Sequence, residues 1–534
     1  MRLLQNKIRS VKLKCFLITL IILFFYFFFR YKMEVAVTES NKHPTLKLKN
    51  VILHLDFKGS PPKLSYLKTL LPKLQSLGVT GLLMEYEDMF PYEGKLVNLS
   101  AENHYEIIEL QEFVTIVVRL GLDLIPLVQT FGHLEHALKL REFQHLRENP
   151  LYPDSICPSQ SESYDLIKAM LDQIINFHEN IFPLKYLHIG SDEVYHIKEC
   201  KKCLRSKLTD MDIYLSHVEA ISHYIKIRSP STTVLLWDDM LRKIPMKKWR
   251  YVTLGKTNIE PVYWDYKPSI KVSHTSLIQY HKKFKNIWIA SAFKGADGRI
   301  STFPDLRKRL LNNFSWLKLI FDYKFGGESE IYEFNGIILT GWSRYSHMDP
   351  PCELLPVATP SLYLNLLMIK TFKYSDSKPK DISIALNYIN KDFSTNLHCQ
   401  YEINIDNFNS IHCHFEGNEL FKLLMDCEKI INDITKTIAD VETDLSTLEL
   451  YSKKYYNNIN MWKKNFKWCI DSINSLNDIR EKLIGNLSHY YGSSFVTEYV
   501  DYKLFNTEKI IKNIMKILNN MFKVKNWKRR LELD

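Results

Sequence analysis

Leu187-His188-Ile189-Gly190-Ser191-Asp192-Glu193-Val194-Tyr195 is the stretch whose reading decides the fold. Lys185 to Ile189 is short, apolar and β-leaning, so it reads as a buried strand. Gly190 and Ser191 then let the chain turn, and two acidic residues stand side by side at the turn. Adjacent carboxylates cannot both ionise cheaply, so one pKa is pushed up and one proton is kept near neutrality. The pair therefore combines a proton donor with an anion, which acid–base chemistry requires. The bland alternative is a solvated Asp-Glu at a helix N-terminus, where acidic residues suit the dipole. The His-x-Gly-x-Asp-Glu context favours chemistry.

Working outward, the same form recurs. Val51 to Asp56, Gly81 to Tyr86, Asp123 to Gln129, the signature strand, Thr233 to Trp237, Pro261 to Trp264, Ile287 to Ala292 and Gly336 to Trp342 read as eight strands. Helical patterns separate them over Tyr66 to Leu77, Glu106 to Leu120, Tyr164 to His178, Met211 to Ile227, Leu277 to Phe284 and Leu306 to Phe321. Strand–helix alternation of this count predicts an α/β chain folded as a (β/α)8 TIM barrel. An open doubly wound sheet is the alternative, and no Gly-rich phosphate loop supports it. Unusual polar and aromatic residues stand at the strand C-terminal ends, the rim where sites assemble in this fold.

Those strand ends carry a resemblance. His188-Ile189-Gly190-Ser191-Asp192-Glu193 resembles the signature of glycoside hydrolase family 20, the β-N-acetylhexosaminidases. His54-Leu55-Asp56-Phe57-Lys58-Gly59, Glu85 to Gly94, Gln129-Thr130-Phe131-Gly132-His133-Leu134-Glu135, Trp237-Asp238-Asp239-Met240, Trp264-Asp265-Tyr266, Ala292-Phe293-Lys294-Gly295 and Thr340-Gly341-Trp342 sharpen it to the hexosaminidase D-like branch. Each is weak alone; their order along the chain is specific. The resemblance implies a retaining exo-β-N-acetylhexosaminidase acting on glycans that end in N-acetylgalactosamine or N-acetylglucosamine. It implies that Glu193 is the acid and base and that Asp192 orients the 2-acetamido group. The substrate's acetamido oxygen then serves as nucleophile.

Trp237, Trp264 and Trp342 are candidate walls for the sugar, though strand-end tryptophans also cap barrel cores. Asp56, Glu87 and Asp238 are candidates for sugar hydroxyls. His133 and His188 are candidates to hold a carboxylate or a hydroxyl, and Tyr266 or Tyr345 to bind the acetamido carbonyl. Better-known family members place an Arg at the first strand. Here Asp56-Phe57-Lys58 stands instead, which leaves galacto or gluco preference open. No cofactor and no metal are expected, since Cys200-Lys201-Lys202-Cys203 is a single Cys-x-x-Cys and the histidines lack a convergent ligand set.

The 534 residues suffice for one large domain and a second unit. Their 46% hydrophobic and 25% charged residues are those of a globular chain. The net charge of +11 comes without a basic–aromatic stripe, so no nucleic-acid partner is expected. Basic residues precede the apolar run Cys15 to Phe29, with Arg30 and Lys32 closing it. This reads as an uncleaved signal anchor over 1–32, with residues 15–29 in the membrane. It implies a single-pass type II protein of the ER or Golgi with its catalytic part in the lumen. Asn98, Asn313 and Asn486 then become candidate glycosylation acceptors. Residues 33–48 read as a stem, 49–375 as the barrel, 376–415 as a connector and 416–534 as a helical region. In the last, Leu420, Leu424, Cys427, Ile431, Ile434, Ile438, Val441, Leu445 and Leu448 follow a heptad seam. That coiled-coil pattern admits packing within the chain or a homo-oligomer. The rival function is a catalytically silent sugar-binding barrel with a helical assembly region, which loss of Asp192 or Glu193 would have favoured.

Overall fold

The computed structural model describes residues 46–254, 258–325, 334–372, 383–403, 405, 408, 410–454 and 458–522. In chain order the strands are β1 (Asn50–Asp56), β2 (Gly81–Glu85), β3 (Asp123–Leu127), β4 (Arg147–Asn149), β5 (Tyr152–Ile156), β6 (Tyr186–His188), β7 (Thr233–Trp237), β8 (Ile259–Trp264), β9 (Ile287–Lys294) and β10 (Phe334–Gly341). Eight of them close a parallel barrel in the order β1-β10-β9-β8-β7-β6-β3-β2. The expected TIM barrel is therefore present. The exception to simple alternation is the antiparallel pair β4–β5, inserted after β3, which three- and five-residue strands are too short to announce by periodicity.

Strand alternation explains both layers of the core. Ile52, Leu83, Ile125, Leu127, Leu235, Val262, Trp288, Ala290 and Ile338 fill the barrel interior. Their neighbours, such as Leu53, Leu82, Leu124, Leu187, Leu236, Ile289 and Leu339, face outward into the helix layer. Two residues beyond an interior position the chain again points inward. The interior face thus continues from Ile52 to His54, from Leu83 to Glu85 and from Leu235 to Trp237, all buried. This period brings polar and aromatic side chains to the C-terminal mouth.

Three long helices, Asn418–Lys454, Ile459–Leu487 and Ser493–Phe522, follow the barrel. The heptad seam is spent inside the chain. Leu420, Leu424, Cys427, Ile434, Val441, Leu445 and Leu448 are buried, in one core with Leu476, Leu483, Leu504 and Leu518 of the other two helices. Of the two readings of the seam, packing within the chain is the one observed, and the possible homo-oligomer gains no support from a seam used this way. The region also meets the barrel: Lys63 N–H donates to Tyr490 O (2.7 Å). The stretch read as a connector holds a helix, Ser383–Asn396, and a Cys399–Cys413 disulfide.

The expectation of a type II membrane protein is corrected. Among the described residues no helix is long and apolar enough to cross a membrane, and residues 15–29 lie outside them. The ER or Golgi address resting on that run is withdrawn. Of the acceptor asparagines, Asn313 is fully buried and donates to Asn365 O (3.0 Å), so the folded chain does not offer it for glycosylation.

Candidate active site

At the mouth of the barrel a cavity of about 210 Å³ is lined by Lys58, Gln129, His133, Asp192, Glu193, Trp237, Trp264, Tyr266, Gly295, Ala296, Trp342, Arg344 and Tyr345. The signature turn puts its carboxylates there through strained backbone. Gly190, Ser191 and Glu193 have φ of 61°, 66° and 45°, values disfavoured for residues with a Cβ. Gly190 has a second reason to lack a side chain, because a Cβ would stand 1.9 Å from Gln129 Oε1. At Gly132 a Cβ would come within 2.4 Å of Asp192 O, so a glycine there lets the loop after β3 lie against the carboxylate pair. That loop carries His133, itself at φ 52°.

His133 Nε2 lies 3.4 Å from Glu193 Oε2 and 3.7 Å from Asp192 Oδ2. Burial disfavours the His133 cation, but Asp192 and Glu193 outweigh it and push its pKa up to about 10. Burial raises Asp192 to about 7; His133 opposes the rise, while Asp239 and Glu193 add to it. Burial also pushes Glu193 up, but hydrogen bonds from His133 and Tyr195 and the His133 charge hold it below its ordinary value. Of the pair, Asp192 therefore keeps its proton to the higher pH. Glu193 N–H donates to Asp239 Oδ2 (3.1 Å), which fixes the backbone of the turn.

Of the expected wall, Trp237, Trp264 and Trp342 all line the cavity. Trp264 stacks on Tyr266 at 5.2 Å, and Trp342 Nε1–H donates to the Tyr266 hydroxyl at 3.2 Å. Tyr266 is thus set between two tryptophans, while Tyr345 is 44% exposed and its hydroxyl accepts from Gly298 N–H (3.2 Å).

Four expected contact residues lie behind the wall. Asp56 accepts from Ser343 N–H (2.8 Å) and Lys58 N–H (3.0 Å), tying β1 to the loop after β10. Asp238 holds Tyr280 (2.9 Å) and accepts from Trp264 N–H (3.3 Å), so it positions a tryptophan. The His188 ring packs on Trp237 at 4.4 Å, and its Nδ1 accepts from Gly190 N–H. Glu87 is buried against Lys58 Nζ (3.1 Å) and His347. In each case the side chain contacts a neighbour that itself reaches the cavity or shapes the turn.

The residues not named in advance as site residues are Lys58, Gln129, Gly295, Ala296 and Arg344. Lys58, Gln129 and Gly295 lay within the stretches quoted for the resemblance; Arg344 gave no signal. Lys58 is buried among Glu87 (3.1 Å), Asp56 (3.6 Å) and Glu85 (3.7 Å) and lies 5.7 Å over the Trp342 ring. Glu85 is held in turn by His54 (3.0 Å) and Gln129 (3.2 Å). Burial would raise the Glu85 carboxyl, but Lys58 and His54 outweigh it and keep it well below the usual range. Arg344 donates to Gly59 O (2.9 Å) and pairs with Glu498 (2.7 Å), so a C-terminal helix braces the cavity wall. Among the described residues two groups converge closely enough for a metal ion: Glu87, His136 and His347, and Glu148, Cys157, Cys200 and Cys203. The first has the Lys58 ammonium against its carboxylate, which disfavours a second cation there.

A parallel (β/α)8 barrel with a carboxylate pair in an aromatic-walled pocket at its C-terminal mouth has the make-up of a glycoside hydrolase. The comparisons agree. No family model matches the chain. Over 318 residues it is 41% identical to hexosaminidase D of Homo sapiens, covering 58% of this chain and 63% of that protein. It is 40% identical to hexosaminidase D of Bos taurus over 318 residues, covering 58% of this chain and 89% of that protein. The chain thus spans somewhat less than two thirds of the human relative's length. Among solved structures, the chitobiase of Flavobacterium johnsoniae shares the fold, with a TM-score of 0.50 at 13% identity over 90% of this chain and 74% of that one. The chain belongs to the hexosaminidase D-like branch of glycoside hydrolase family 20.

Proposed function

We propose that the chain is a retaining exo-β-N-acetylhexosaminidase that removes terminal N-acetylgalactosamine or N-acetylglucosamine from glycans. The observation that carries this reading is the placement of Asp192 and Glu193 together on a small cavity walled by three tryptophans and Tyr266. Aromatic faces suit the apolar faces of a pyranose, and the small volume suits a chain end rather than a chain interior.

The sugar's 2-acetamido N–H donates to Asp192, and that hydrogen bond favours the Asp192 carboxylate. The proton of the pair moves to Glu193, which faces the leaving oxygen. The acetamido oxygen attacks the anomeric carbon as the glycosidic bond breaks, and the departing oxygen takes the Glu193 proton. An oxazolinium ion results, its positive charge opposite Asp192. Glu193 then takes a proton from water, the water oxygen attacks the anomeric carbon, and the ring opens with retained configuration. Tyr266, with its hydroxyl fixed by Trp342, is the candidate to bind the acetamido carbonyl; Tyr345 is tied to Gly298.

The test is hydrolysis of aryl β-N-acetylglucosaminide and β-N-acetylgalactosaminide by wild type, Glu193→Gln and Asp192→Asn. Cleavage by wild type, lost in both variants, with aryl glycosides lacking the acetamido group left intact, is the expected result. Cleavage of the latter at equal rate would point to a protein carboxylate as nucleophile. No cleavage by folded protein across acidic to neutral pH would return the silent sugar-binding barrel.

A further inference from the structure

Glu148, Cys157, Cys200 and Cys203 stand outside the cavity and take no part in the chemistry above. Two segments distant in sequence, the β4–β5 hairpin and the loop after Glu193, bring them together. Glu148 is on β4, Cys157 directly follows β5, and Cys200 caps a short helical turn, Lys201–Leu204, that holds Cys203, on the loop that leaves Glu193. Their ligand atoms all lie within 4.8 Å of one another.

Two of three spacings among the donors match a tetrahedron around one ion, and the third is about 0.6 Å shorter than its edge. Zinc–sulfur bonds of about 2.3 Å and a zinc–oxygen bond of about 2.0 Å put sulfur–sulfur edges at about 3.8 Å and sulfur–oxygen edges at about 3.5 Å. Cys157 Sγ to Cys203 Sγ is 3.7 Å, Cys157 Sγ to Cys200 Sγ is 3.2 Å, and Cys203 Sγ to Glu148 Oε2 is 3.4 Å. The surroundings hold the donors in place. Glu199 N–H (2.7 Å) and Cys200 N–H (2.9 Å) both donate to Glu148 Oε1, which turns Oε2 toward the sulfurs. Cys203 N–H donates to Cys200 Sγ (3.3 Å), a contact that favours a thiolate. Glu148 is fully buried, and no Lys or Arg ion pair to it occurs among the described residues. A buried carboxylate beside three sulfurs calls for a cation.

We propose that these four side chains bind one divalent, zinc-class ion as a structural site. Coordination releases the three thiol protons to solvent and leaves no ligand position for substrate. The expectation of no metal rested in part on there being one Cys-x-x-Cys, and the fold supplies a third sulfur and a carboxylate from the β4–β5 hairpin. The ion joins that hairpin to the loop seven residues past Glu193. The hairpin also accepts from Leu134 N–H through Asp154 O (3.0 Å), and Ile156 N–H donates to Phe131 O (3.1 Å). The site thus ties the segment carrying His133 to the segment carrying Asp192 and Glu193.

The test uses the full chain purified under reducing conditions without added metal. Elemental analysis is expected to find stoichiometric zinc, released when a mercurial blocks the thiols. Cobalt(II) exchanged into the protein is expected to show the intense visible bands of tetrahedral thiolate coordination. Cys203→Ser and Glu148→Gln are expected to lose or weaken zinc and to lower the melting temperature; should either fail to fold, the wild-type cobalt spectrum decides. Folded, metal-free protein that takes up neither ion would overturn the proposal, as would a Cys157–Cys200 disulfide in a non-reducing peptide map. These readouts do not depend on glycosidase activity, so a chain that binds zinc and cleaves no glycoside leaves the inference standing.

Discussion

Replacing His133 with Gln removes the cation facing both carboxylates while keeping a side chain able to hydrogen-bond. The charges are 3.4 Å and 3.7 Å apart. At an effective dielectric of about 20, those separations correspond to roughly 4.5–5 kcal/mol per pair, and at about 80 to roughly 1 kcal/mol. The Glu193 side chain is 36% exposed, so its value belongs near the lower figure. At about 1.4 kcal/mol per unit, both carboxyls should rise by about one to three pKa units, Asp192 more than Glu193. The productive form carries one proton on the pair. Wild-type kcat/KM should therefore form a plateau between a Glu193 limb below about 4.5 and an Asp192 limb near 7. Both limbs should move to higher pH in His133→Gln, so activity falls in acid and persists further into base. A full pH profile with an aryl β-N-acetylhexosaminide reads this directly. An alkaline limb that stays in place or moves down would refute the assignment of these limbs to the pair.

Three further outcomes follow from the geometry. Lys58→Met leaves Asp56 and Glu85 buried without their cation and should cost about 3–5 kcal/mol in urea unfolding at neutral pH. Glu85 has a depressed folded pKa, so its wild-type contribution is present above its ordinary value near 4.5 and is lost as pH falls below it; the deficit of the variant should shrink on the same acid side. Gly132→Ala places a methyl group 2.4 Å from Asp192 O, and a displacement of about 1 Å at the pair should lower kcat about 100-fold with the chain still folded; unchanged kcat would show that the loop yields freely. Trp264→Ala removes one stacking face, and a loss of about 1 kcal/mol should raise KM about fivefold with kcat little changed; an effect on kcat alone would place this residue outside ground-state binding.

The barrel was legible in the sequence because it rests on local patterns. Alternation of period two and helical faces of period 3.6 located the eight barrel strands to within a few residues, and the strand ends marked the mouth. The pair Asp192–Glu193 and the three tryptophans were legible for the same reason, each standing at the end of a patterned strand. What each polar residue touches was not. Asp56, Asp238, His188 and Glu87 look like ligands for a sugar in one dimension, yet each is taken up by a partner, as Asp56 is by Ser343, far along the chain. The division of protons depends on His133, which arrives from another loop, so adjacency alone pointed to a shared proton and not to its owner. Likewise Cys200 and Cys203 announced half a ligand set, and only the β4–β5 hairpin brings Cys157 and Glu148 to it. Secondary structure follows from neighbours along the chain, whereas charge balance and ligand sets follow from neighbours in space, which the closed barrel alone decides.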